Sequence, residues 1–171
     1  MEVAGAAFPI TPLLSTCSNI VKTLYSVGKK FKHAAPQTVK SIATECNFLH
    51  VTLAQLLSFD WDELASYQDG RQEQLTRATE SIILGCTLAL SVIEEYATEV
   101  QDFANTVPPE SVDDAETSAR IKAIWKEDET KELLLQLRGY QSGLTALLRA
   151  AQEYVFRANY CMHRRRTKFF C

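Results

Sequence analysis

An all-α fold, an antiparallel bundle of about four long helices, is predicted by three features of the sequence. Apolar residues recur at three- and four-residue spacing through four long stretches. Only six Gly and five Pro occur in 171 residues, too few for a chain of many short strands and tight turns. No strand-like alternation of useful length interrupts the helical pattern. A composition of 46% hydrophobic and 23% charged residues is that of a soluble globular domain with its own core.

The first helix is expected from Thr11-Pro12, an N-cap followed by Pro at the first helical position. Leu13, Leu14, Cys17, Ile20, Val21, Leu24, Val27 and Phe31 form its stripe, and Lys29, Lys30 and Lys32 suit its C-terminal dipole end. The second starts at Pro36 and carries the strongest periodicity: Val39, Ile42, Cys46, Leu49, Leu53 and Leu56 make an unbroken heptad seam. Asp60 with Glu63 resembles a capping box, so a short acidic helix is expected near 60–68, closed by the turn signal Asp69-Gly70.

The third long helix is placed at about 71–104 with the stripe Leu75, Ile82, Cys86, Ala89, Ile93, Val100 and Phe103. Its uncharged run from Ser81 to Ile93 implies burial on nearly all sides, yet at 13 residues it is shorter than the roughly 18 needed to span a bilayer. Residues 105–116, with Pro108-Pro109, read as a loop. The last helix runs through Ile121, Ile124 and Trp125, kinks near 127–130 where Asp128 is placed to cap, and continues from Leu134 to Ala158. Gly139 and Gly143 each weaken it by about 1 kcal/mol relative to Ala and permit close packing. One domain, residues 1–160, is expected, with 1–24 as an apolar N-terminal segment and 161–171 as a disordered basic tail.

Charge is unevenly spread within a net of −3. Residues 1–59 carry +3, 60–116 carry −12 and 117–171 carry +6. A general nucleic-acid binder is excluded, and the segregation suits either mutual attraction within a bundle or orientation at an anionic membrane. Five cysteines without a Cys-x-x-Cys pair read as free thiols in a reducing, cytoplasmic setting. The 19 uncharged residues from Val3 to Val21 contain too many polar side chains and prolines for a confident transmembrane span, and no basic region precedes them as a secretory signal requires.

Enzyme chemistry finds little footing. The adjacent carboxylates (Glu94-Glu95, Asp113-Asp114, Glu127-Asp128-Glu129) lie in charged or loop stretches rather than apolar settings. His33, His50 and His163 have no zincin spacing, and Cys161, His163 and Cys171 lack a fourth zinc ligand. Neither a phosphate-binding Gly-rich loop nor a Gly-x-Ser-x-Gly elbow occurs. No catalytic residue, cofactor or metal is expected. The tail, with Arg164, Arg165, Arg166 and Lys168 beside Phe169, Phe170 and Cys171, reads as a frayed terminus first and a basic membrane anchor second.

Three stretches together resemble the fungal N-terminal helical domains found ahead of STAND-type NTPases and in the azaphilone pigment cluster protein L family. They are the uncharged N-terminus leading into Leu13-Leu14-x-x-Cys17 and Leu24-Tyr25, the Leu-rich helix ending Leu53-Ala-Gln-Leu56-Leu57, and the stretch from Ala119 through Trp125 and the acidic residues to Leu133, Leu137 and Gln141. More distantly the layout is similar to HeLo domains, helical bundles whose apolar N-terminus enters membranes when triggered. The resemblance implies a non-enzymatic signalling or cell-death module that self-associates. Phe8, Leu13, Leu14, Ile20 and Val21 would then be the inserting residues, and Lys29, Lys30, Lys32 and the tail basics would meet anionic headgroups. The expected partners are a second copy or another helical protein, with an anionic membrane as an option and no nucleic acid. The alternatives are a soluble interaction module without membrane activity, or a secondary-metabolism accessory protein holding a small apolar molecule between helices. The expected location is cytoplasmic, with peripheral membrane contact in the first case.

Overall fold

The computed structural model describes residues 9–32, 35–65, 70–108, 111–112 and 115–168, with backbone alone for 65, 71 and 161–168. Its helices are α1 (Ile10–Lys30), α2 (Gln37–Leu57), α3 (Trp61–Ala65), α4 (Arg71–Thr106), α5 (Ala115–Trp125) and α6 (Glu127–Lys168). The all-α bundle predicted from periodicity is the observed fold.

Helix α1 starts two residues ahead of the expected Pro12, so Thr11 and Pro12 sit inside its first turn. Pro is tolerated there because first-turn N–H groups have no intrahelical acceptor. All six seam residues of α2 are buried. Helix α3 begins as the capping box requires, with the Glu63 N–H donating to Asp60 Oδ1 at 2.9 Å. Its Leu64 is buried, and Trp61 Nε1–H donates back to the Leu56 carbonyl at 3.1 Å.

Two expectations for the last third need correction. The kink expected at 127–130 is a full break one residue earlier: Lys126 adopts a left-handed φ of 47° between α5 and α6. Asp128 therefore lies inside α6 and pairs with Lys131 at 3.2 Å rather than capping. Helix α6 runs on into the basic tail as far as Lys168, since Met, Arg and Lys are good helix formers; residues 169–171 lie outside the described chain.

The four long helices pack in the cyclic order α1, α2, α6, α4, each touching the next. Consecutive long helices run antiparallel. The order nevertheless makes α1 and α4 parallel neighbours: Lys30, at the end of α1, donates to the Ala104 and Val107 carbonyls at the end of α4. Likewise α2 and α6 run parallel, joined by Arg138 to Glu45 at 2.7 Å and by Asn159 to Glu63 at 2.8 Å farther along. Helices α2 and α4 thus stand at opposite corners.

One core fills the centre, with Leu13, Ile20, Leu49, Leu90, Ile93 and Trp125 among its largest members. Among the described residues the buried polar side chains are all threonines, and each has a partner. Thr52, Thr79 and Thr130 donate to carbonyls in their own helices, and Thr117 donates to Ser111. Thr38 accepts from Trp125 Nε1–H at 2.8 Å.

Close approach of α4 and α6 depends on Gly85, where an added Cβ would fall 2.7 Å from the Tyr140 ring. Gly143 faces the flexible end of Ile82 at 2.8 Å, as its close-packing role anticipates, whereas Gly139 faces open space and has no such role. In urea unfolding, Gly139→Ala should therefore gain up to about 1 kcal/mol from helix propensity. Gly85→Ala should lose about 1–3 kcal/mol, because displacing a packed ring outweighs that gain.

Candidate interaction surfaces

The candidates for membrane insertion divide by burial. Leu13 and Ile20 are buried in the core, Leu14 and Val21 are half-buried against it, and Phe8 lies outside the described residues. Among the basic candidates, Lys29 and Lys32 are exposed. Lys30 is occupied: besides capping α4 its ammonium lies 5.7 Å from the centre of the Phe31 ring. Arg164, Arg165, Arg166 and Lys168 fall on the last turns of α6, beyond the described side chains.

Cys17, Cys46 and Cys86 are buried free thiols contributed by α1, α2 and α4. Burial pushes Cys17 and Cys86 up to about 12 from an ordinary 9.0, and raises Cys46 as well. Thiols held neutral in this way are core hydrophobes rather than nucleophiles. Among the described residues no three His, Cys, Asp or Glu side chains come together in a metal-holding arrangement. The cavity that Cys17 borders, with Val21, Lys22 and His50, measures about 180 Å³. A larger open groove of about 480 Å³ lies between the start of α4 and the second half of α6, over Leu75, Ala78, Leu147 and Ala150. It has neither the enclosure nor the cysteine lining that a small-molecule site between helices would want.

A polar cluster holds the α5–α6 break. Tyr96 donates its hydroxyl to Glu129 Oε2 at 2.6 Å, and Lys126 Nζ donates to the same Tyr96 oxygen at 3.2 Å while lying 4.6 Å from the ring centre. The hydrogen bond to Glu129 raises the Tyr96 pKa, and the Tyr96 hydrogen bond raises that of Lys126. Arg120 lies over the Phe103 ring at 5.0 Å and fixes α5 on α4 in a similar manner.

The surface divides by helix. Within residues 9–59 the only acid is Glu45, whose side chain is 13% exposed and paired with Arg138. The outer face of the α1–α2 hairpin therefore presents no free acid. It carries exposed Lys29 and Lys40 towards one end, exposed Lys22 midway along α1 beside Asn47 and His50, and Phe48 and Val51, 51% and 50% exposed, midway along α2.

Helix α4 gives the opposite picture. Its uncharged run is not buried all round, as expected from sequence: Leu84 and Leu88 are 60% and 63% exposed. The core side of α4 is taken by Ile83, Cys86, Leu90, Ile93 and Ala97. Ile82, read as part of the buried stripe, is half-buried beside Gly143. By length and composition Gln72–Thr106 is apolar enough to cross a membrane, but in this fold it is a core helix between α1 and α6. Farther along the exposed face of α4 stand Glu95, Glu99 and Asp102. The missed signal was the helical spacing linking these acids to Leu84 and Leu88, which sets all five on one face.

No protein-family model, curated protein or solved structure matches this chain.

The buried thiols make stability fall at high pH. Their folded pKa values exceed the unfolded ones, so above pH 9 the unfolded chain releases protons that the native state keeps. Each such thiol should cost about 1.4 kcal/mol per pH unit above the unfolded pKa, until pH reaches its folded value. Urea titrations across this range should give a slope shallower by about that amount for Cys46→Ala than for the parent chain.

Proposed function

We propose that the chain is a non-enzymatic helical interaction module of the signalling type, working through the outer face of its α1–α2 hairpin with the bundle intact. The observation that carries this reading is that face itself. It combines exposed Phe48 and Val51 with three exposed lysines and no free acid. Interface centres favour aromatic residues and exclude charge, and a one-signed rim steers a partner of opposite sign. The order of segments that resembles the fungal STAND N-terminal domains supports the signalling class.

Membrane insertion of α1 is the more costly mechanism. Withdrawing the helix exposes Ile10, Leu13, Cys17, Ile20, Leu24 and Val27, all buried. At roughly 1.5–3 kcal/mol per large side chain the loss is on the order of 10 kcal/mol, comparable to the whole stability of a domain this size. Such release needs a trigger of equal size, whereas docking through the exposed face needs none.

Proximity labelling in the organism of origin tests the reading. The parent chain and a Phe48→Glu/Val51→Glu variant of unchanged fold and abundance should differ by a defined set of neighbours lost from the variant. Identical neighbour sets would refute an interaction role for this face. Leakage of phosphatidylserine vesicles that disappears on removing residues 1–8 would instead favour insertion.

A further inference from the structure

The molecule carries two faces that complement each other. On α2, Phe48 and Val51 are followed by Lys40 about 12 Å away along the helix, at 1.5 Å per residue, with Lys29 towards the same end on α1 and Lys22 farther back beside Asn47 and His50. On α4, Leu84 and Leu88 are followed by Glu95 about 10 Å beyond Leu88 and by Asp102 about 21 Å beyond it, with Glu99 between them. In both cases the charged end lies at the same end of the bundle, where Lys30 of α1 meets the last carbonyls of α4. Because α2 and α4 occupy opposite corners, their outer faces point away from each other and cannot meet within one molecule.

We infer that a second copy of this chain docks the outer face of its α4 on the α2 face of the first. The leucines of one cover Phe48 and Val51 of the other, and Glu95, Glu99 and Asp102 meet Lys29 and Lys40. The contact joins two different faces, so each copy leaves one of each unused, and copies stacked in the same orientation form an open-ended row rather than a closed dimer. Both halves are sign-matched, which orients the approach and disfavours α4 against α4, where acids would oppose acids. A contact built mainly from one helix on each side falls at the small end of interface sizes, so the assembly is reversible and concentration-dependent. This inference rests on the interaction reading of the hairpin face and names its partner surface.

Sedimentation velocity over a concentration series tests it with the full chain. The parent should show a weight-average sedimentation coefficient that climbs without a plateau at dimer and falls back as salt rises. Phe48→Glu and Leu88→Glu should each weaken association by about 100-fold or more, leaving monomers. An equimolar mixture of the two should recover a dimer that does not grow, because only one α2 face and one α4 face remain competent. Phe48→Ser and Leu88→Ser, checked by circular dichroism, repeat the test should the charged variants misfold.

A parent chain that stays monomeric throughout overturns the inference but leaves the interaction reading to its own labelling experiment. So does a Leu88→Glu chain that still dimerises, which would make the contact isologous through α2. A monomeric parent that floats with phosphatidylserine vesicles through Phe48 would assign the face to lipid and overturn it equally.

Discussion

Trp125 can be buried only if the helix that carries it stops. Its indole is fully enclosed, and its N–H donates 2.8 Å to the Thr38 hydroxyl at the start of α2. An uninterrupted helix through residues 115–168 would carry α5 away from α4 and draw the indole out of its site. The chain instead turns at Lys126, accepting a left-handed backbone that costs a side-chain-bearing residue roughly 1–2 kcal/mol. Tyr96 and Glu129 hold the turned residue in place. From that break α6 sets off along the gap between α2 and α4, and the corner order of the bundle follows.

That order decides which surfaces the molecule offers. With α6 between α2 and α4, the acid-poor hairpin faces one way and the acidic ridge of α4 the other. The charge blocks along the chain thus become faces of a solid. Inside the molecule some basic side chains find partners outside the acidic block's carboxylates, such as Lys30 on the last carbonyls of α4 and Arg138 on Glu45, the one acid of the hairpin. Most of the hairpin's positive charge stays outside, free to act between molecules.

The same packing sets the terms on which α1 can act. Its apolar stripe is an integral part of the core rather than a reserve held against the surface, and Cys17 lies with Cys46 and Cys86 among the enclosed side chains. A role for the intact surface and a role for a released α1 therefore differ by most of the folding free energy, and they draw on different apolar residues: exposed Phe48 and Val51 for the first, the buried stripe of α1 for the second.

The helices were legible along the chain. The heptad spacing of Val39 to Leu56 marked the face of α2 that is buried, and the Asp60–Glu63 capping box marked α3, because these are signals written within one or two turns. Local signals could not say which neighbours each helix would have. The uncharged run of α4 read as all-round burial, yet a corner helix in a four-membered ring must turn one side to water, and Leu84 and Leu88 fall there. Lys126 carries no sequence mark of a left-handed residue, since Gly would have been the cheap choice; the constraint comes from Trp125 across the bundle. The pairing of Phe48 with lysines, and of Leu88 with acids, was present as residues but not as faces. Only the tertiary structure, by placing α2 and α4 at opposite corners, made surfaces of them.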